Sequence, residues 1–198
     1  MTKATDQAIV KATLATLRDE GFAGATSRAI ARRGDFNQAL IFYHFGSVQN
    51  ALLAGLDLVG ERRMQAYGDA LRDTRSASEL AALARRIHTE DLENGYITVL
   101  GEMVSGGVSD AKLGQEVSAR IEPWIELVTE KIQQLLAGSP LLALVAPRDL
   151  AFGLVGLYFG VDMLSHLQRD PARAESLLEL GARLAVLADL ALPPQSKE

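Results

Sequence analysis

The sequence predicts an all-α protein: an N-terminal three-helix head containing a helix-turn-helix, followed by a larger C-terminal helical domain. Two observations carry this expectation. Apolar residues recur at helical spacing along the chain, beginning with Ile9, Val10, Thr13, Leu14 and Leu17, and the remainder reads as helices without strands. The stretch 26–45, TSRAIARRGDFNQALIFYHF, reads as two short helices joined by a tight turn, and the second helix of such a unit can lie in a DNA major groove.

The first helix is expected over residues 6–20, with Gly21 just past its end and Phe22 covering that end. The second runs over about 27–33. Thr26 or Ser27 is its N-cap, because a hydroxyl there accepts an orphan backbone N–H. Gly34 and Asp35 stop it, since glycine enters the left-handed region cheaply and Asp tolerates it better than most residues. The third helix spans 38–45. Phe22, Ile30, Ile41 and Phe45 are the candidate core of the head. Ser47 caps a long fourth helix, 48–71, with Leu52, Leu53, Leu56 and Val59 on its inner side. A polar break at 72–78 sets the expected domains: a head at 1–47, a connecting helix at 48–71, a body at 72–192 and a disordered tail at 193–198.

Body helices are expected at 77–93, ended by Asn94 and Gly95, and at 96–104, followed by a flexible Ser105–Gly106–Gly107. A longer one, 110–137, contains Pro123, which should kink it by removing a backbone donor. Gly138, Ser139 and Pro140 form a stop. Pro147 opens a helix to residue 168, and Pro171 opens the last, to 191. The helix from Pro147 is apolar nearly all round, through Phe152, Leu154, Leu157, Phe159 and Leu164, and should be buried on every side. Gly153, Gly156 and Gly160 mark one closely approached face of it, and Leu177, Gly181 and Leu184 add to that face from the last helix. Tyr158, Asp162 and His166 form a polar stripe that needs partners if buried. His88 and Asp91 are expected at the surface.

Composition narrows the function. At 198 residues and 48% hydrophobic content the chain has ample material for a core and is not disordered by composition. The absence of Cys excludes a disulfide framework, a thiolate metal site and a Cys nucleophile, and fits a cytoplasmic protein. Three scattered His lack metal-ligand spacing, so neither metal nor cofactor is expected. The N-terminus lacks the apolar core of a signal peptide. The longest apolar run, 150–161, is shorter than the roughly 20 residues a bilayer requires, so no membrane partner is expected. Net charge is −5, divided as +2 up to Asn50 and −7 beyond it. The head is therefore mildly basic on an acidic body.

Residues in and after the helix-turn-helix resemble the N-terminal domain of the TetR-type (TetR/AcrR) transcriptional regulators. That pattern is Thr-x-Arg-x-Ile-Ala, Ala-Gly-Val, Leu-Tyr-x-His-Phe, then Ser-Lys-Glu before a Leu pair. The counterparts are Thr26, Arg28, Ile30 and Ala31; Gly34, Asp35 and Phe36; Ile41, Phe42, Tyr43, His44 and Phe45; Ser47, Val48 and Gln49; Leu52 and Leu53. Three departures stand out: Asp35 replaces the turn glycine, Phe42 the tyrosine and Val48 the lysine.

With Ile41 and Phe45 inward, Gln38, Leu40 and Tyr43 should be exposed on the second helix of the unit. Gln bonds two atoms of an adenine edge, and Leu40 packs a thymine methyl. The resemblance implies phosphate contacts for Tyr43 and His44, with Thr26 and Arg28 near a phosphate or the groove edge. It also implies a homodimer made by the last two helices as a four-helix bundle, and an effector cavity with Tyr96, Leu100, Met103, Trp124, Phe159 and Met163 as candidate walls. The expected protein is a homodimeric repressor released from a palindromic double-stranded DNA operator by a small, mostly apolar effector. An enzyme is the first rival, but no nucleophile elbow or phosphate loop supports it. A dimer of the same fold that has lost operator binding, through Asp35, Phe42 and Val48, is the second.

Overall fold

The computed structural model describes residues 3–168 and 171–192, so the expected tail at 193–198 lies outside the described residues. Among the described residues there are helices and no strand. They are α1 (Lys3–Gly24), α2 (Ser27–Gly34), α3 (Ala39–Phe45), α4 (Val48–Asp73), α5 (Ala77–Asn94), α6 (Tyr96–Ser109), α7 (Ala111–Leu136), a 3₁₀ turn (Pro140–Ala143), α8 (Pro147–Gln168) and α9 (Pro171–Ala191). Packing divides the chain into two compact units, residues 1–63 with 95–121, and residues 64–94 with 122–198. Helices α4 and α7 each contribute one part to either unit.

The first unit is built on α1. Ile9, Ala12, Ile30, Ile41 and Ala51 form its small core, with Phe36, Leu40, Phe45 and Val48 packed around them. Thr13 and Thr16 are buried on the same helix, and their hydroxyls donate to the Ile9 and Ala12 carbonyls at 2.8 Å each. Gly21 breaks α1 at φ 74°, as its position suggested. The freed amide of Phe22 donates to Glu102 Oε2 of α6 at 2.7 Å.

Phe22 therefore packs away from the expected head core. Its ring lies where a Cβ on Gly106 would be, 2.6 Å from it. This contact also corrects the expected flexible link at 105–107. Helix α6 continues through it to Ser109, because Gly106 admits the Phe22 ring and Gly107 packs backbone to backbone against Gly114. Asp110 then caps α7, accepting from the Lys112 and Leu113 amides, and also accepts from Gln49 Nε2 at 2.9 Å. Arg120 of α7 forks onto Asp57 of α4 at 2.7 and 3.1 Å.

In the second unit Tyr67, Leu71, Leu83, Ile87 and Leu127 form a core, joined by Met64, Leu80, Trp124, Val128 and Tyr158. Lys131 of α7 is buried at the end of α4. Its ammonium donates to the Arg72 and Thr74 carbonyls and to Gln134 Oε1 at 2.5, 2.8 and 2.9 Å. A cation there meets the negative end of the α4 dipole. Asp189 of α9 caps α5 from outside, accepting from the Ala77 and Ser78 amides at 2.7 and 3.1 Å.

Two further expectations are corrected here. His88 and Asp91 are buried, since Tyr158 from α8 covers them: its hydroxyl donates to Asp91 Oδ2 at 2.8 Å and its ring meets His88 edge-on. Helix α8 is not buried on every side within the chain. Phe152, Leu157 and Leu164 stay more than half exposed, because α9 covers only part of its circumference. The side chains of Asp162 and His166, the rest of the expected polar stripe, lie outside the described residues.

Candidate nucleic-acid interface

The turn between α2 and α3 is set by local chemistry. Thr26 is the N-cap of α2, with Oγ1 accepting from the Ala29 amide at 3.2 Å. Gly34 stays helical; its neighbour Asp35 takes the left-handed conformation, φ 52° and ψ 50°. Gly34 is required for space instead. A Cβ there would lie 2.1 Å from the Phe36 ring, which turns back into the head core. Asn37 Oδ1 then accepts from the Ala39 amide at 2.9 Å and starts α3.

Helix α3 is seven residues long and Ile41 is its one fully buried side chain. Gln38, at its N-cap, and Ala39 are exposed. Phe42 is 50% exposed and Tyr43 72%. Leu40 is partly buried against the head core, with less to offer a partner than its place in the sequence suggested. Arg28 is exposed, and so is Thr26, whose hydroxyl serves the cap. His44 faces inward. Its Nδ1 lies 2.5 Å from Asp6 Oδ1 on α1, while Nε2 is buried without a hydrogen-bond partner.

The basic residues of the head are unequal. Arg33 pairs with Asp19 at 2.5 Å and Glu20 at 3.5 Å, and Arg32 reaches Glu20 at 3.4 Å. The hydrogen bond that Arg33 donates to Asp19 holds the guanidinium above its ordinary value, and Arg18, then Arg33, holds Asp19 below the usual carboxylate range. These pairs tie α2 to the end of α1 and occupy charges that composition alone counts as available.

The effector candidates fall into two groups. Tyr96, Leu100 and Met103 are on α6 in the first unit, with Met103 fully buried. Trp124, Phe159 and Met163 are in the second, where Trp124 joins the core and Met163 is 45% exposed. Of the interface candidates, Gly153, Gly156, Gly160 and Gly181 have open space where a Cβ would stand, and Leu177 and Leu184 are exposed. No group of acidic and His side chains suited to a metal occurs among the described residues. No single helix there is long and apolar enough to cross a membrane.

An all-helical chain with a capped, tightly turned helix-turn-helix at its N-terminus and a larger helical body has the architecture of a transcription regulator. Residues 9–53 match the family model described as bacterial regulatory proteins, tetR family, and the head belongs to that family. Solved structures extend the likeness in fold over most of the chain. The fatty acid degradation regulator FadR from Bacillus halodurans superposes with a TM-score of 0.76 at 13% identity, over 93% of this chain and 96% of that one. A TetR-family regulator from Rhodococcus sp. gives 0.76 at 20% identity, over 91% and 97%. FadR from Bacillus subtilis, solved in complex with stearoyl-CoA, gives 0.72 at 13% identity, over 89% and 97%. No curated protein matches the sequence.

Proposed function

We propose that this protein is a homodimeric repressor that binds a palindromic operator and is released from it by a small, mostly apolar effector. The observation that carries the reading is the outward face of α3. On a tetR-family head this short helix presents Gln38, Phe42 and Tyr43 together, and large side chains exposed on one face call for a partner. Gln38 would meet base edges, and Leu40 would offer them only the part of its side chain left outside the head core. Tyr43, Thr26 and Arg28 would hold phosphates, and His44 would act near them.

One reading helix per head calls for a twin to read two half-sites. Exposed Phe152, Leu157, Leu164, Leu184 and Leu187 support dimerisation through α8 and α9, with Gly153, Gly156, Gly160, Leu177 and Gly181 on the same surface. Functionally the chain divides into the head at 1–47, the connecting helix at 48–71 and the body at 72–192. The effector binds the body, where Trp124, Phe159 and Met163 of the second unit are its candidate contacts. Since α4 follows α3 directly and ends against Lys131, a shift of its far end would alter the head, and the operator would dissociate through the difference in affinity between two conformations. A cytoplasmic location follows from the operator.

The test is selection from a random duplex pool with the full-length protein, then release of the selected duplex by a panel of apolar compounds that includes a long-chain acyl thioester. An enriched palindrome released by one compound is expected. Failure to enrich any duplex overturns the reading.

A further inference from the structure

We infer that His44 links operator binding to a proton: its imidazole becomes charged when the duplex backbone approaches the head, and the imidazolium neutralises Asp6, an acid on the same side of the head. The inference rests on the proposed operator binding and adds a pH response to it.

Asp6 is a liability for a head that approaches DNA. It stands exposed in the first turn of α1, and His44 ties it to the last turn of α3, the helix that would lie on the duplex. Tyr43, the proposed phosphate contact, is 72% exposed, and its ring meets the His44 ring edge-on with centroids 5.2 Å apart. A phosphate held by Tyr43 would lie close enough to the Asp6 carboxylate for the two to repel, since charges interact over about 8 Å at physiological salt.

His44 is placed to cancel that repulsion. Its Nδ1 lies 2.5 Å from Asp6 Oδ1, so a proton on Nδ1 serves the carboxylate whether the ring is neutral or charged. The proton that decides the charge is the one on Nε2, which is buried without a hydrogen-bond partner. Two influences oppose each other there. Asp6 and the carbonyl end of α3 favour the cation, and burial of Nε2 disfavours it. An added phosphate tips the balance toward the cation, in a side chain whose charge changes between about pH 5 and 8. The surroundings leave this response to His44 and Asp6. Helix α1 turns Asp6 toward the ring, and α3 itself sets the Tyr43 phenol beside it. Residues 46–56, which lead into and open α4, carry no charge, and Arg32 and Arg33 of α2 are held by Asp19 and Glu20. Because the complex binds more protons than its separate parts, affinity rises as pH falls.

The test uses the full-length protein and the duplex that it selects. Affinity is measured from about pH 6 to about pH 8.5 at fixed salt, for the parent and for His44→Asn, whose amide keeps a donor near Asp6 and takes no charge. The parent should bind about tenfold more tightly per subunit at the acid end, the order of a unit-charge interaction at a protein surface. His44→Asn should lose this pH dependence and stay near the parent's alkaline affinity, with thermal unfolding as a check on its fold. A second readout needs no variant. The NMR signal of the His44 ring, identified by its proximity to the Tyr43 ring, should titrate at higher pH with the duplex than without it. A midpoint that the duplex leaves unchanged, or a pH dependence of affinity that survives in folded His44→Asn, overturns the inference while operator binding stands. If the parent selects no duplex, both fall.

Discussion

Gly34 and Asp35 share a task that a single glycine performs in a relaxed turn. One supplies the room for Phe36, the other supplies the left-handed residue. The two substitutions should therefore move stability in opposite directions. Gly34→Ala drives a methyl into the Phe36 ring and should cost roughly 1–3 kcal/mol, as overpacking does. Asp35→Gly removes the steric cost of φ 52° and should stabilise the head by roughly 0.5–1 kcal/mol. Denaturant melts of the two variants decide it, and a destabilised Asp35→Gly would contradict the account of the turn. Asp110 makes a prediction in pH. The Leu113 amide first, then Gln49, holds its carboxyl below the usual carboxylate range. A carboxylate so favoured in the folded state contributes fully above its unfolded value of about 4, and the contribution is lost as pH falls through the folded value. The stability gap between parent and Asp110→Asn should be constant above about pH 5 and shrink below about pH 4. A gap that widens in acid would reverse the sign.

Among the elements, local capping chemistry was the most legible part of the sequence. Thr26 and Ser47 cap α2 and α4, Gly21 and Gly95 take positive φ, and Pro147 and Pro171 open α8 and α9, each where its side chain or backbone freedom suggested. What escaped depends on partners far away in the chain. The run of α6 through Gly106 and Gly107 depends on Phe22 and Gly114. The burial of Asp91 depends on Tyr158, 67 residues later. The outward face of α3 was half legible. The spacing exposed Gln38 and Tyr43, but the retreat of Leu40 and the inward turn of His44 toward Asp6 come from packing on α1. Lys131 is likewise silent in sequence, where it reads as one more helical lysine. As the cap on the end of α4 it should matter. Lys131→Met leaves the Arg72 and Thr74 carbonyls without their donor and should cost about 1–3 kcal/mol in thermal or denaturant unfolding. A cost within a few tenths would mean that water replaces it.

For the whole molecule, the proposal joins a reading head to a twin through α8 and α9. Gly156→Leu tests the pairing cleanly, because nothing in the chain lies within 4 Å of a Cβ there. The variant should fold as the parent does, yet sediment as a monomer or a much weaker dimer, since a tightly packed contact has no room for a leucine. An undiminished dimer would place the interface elsewhere. Operator binding itself is tested most directly by titrating the selected palindrome and a random duplex across several salt concentrations, with the parent, Gln38→Ala and Tyr43→Phe. The parent should prefer the palindrome. Gln38→Ala should lose roughly 1–3 kcal/mol per contact and relax the preference at one position of each half-site. Tyr43→Phe should weaken both duplexes about equally, because a phosphate contact carries no base information. The salt slope should be shallow for a dimer, with Arg32 and Arg33 held by Asp19 and Glu20 and with Val48 in place of a lysine. A parent protein that binds palindrome and random duplex alike at every salt concentration would contradict the account, and the same fold without operator binding would then describe this chain.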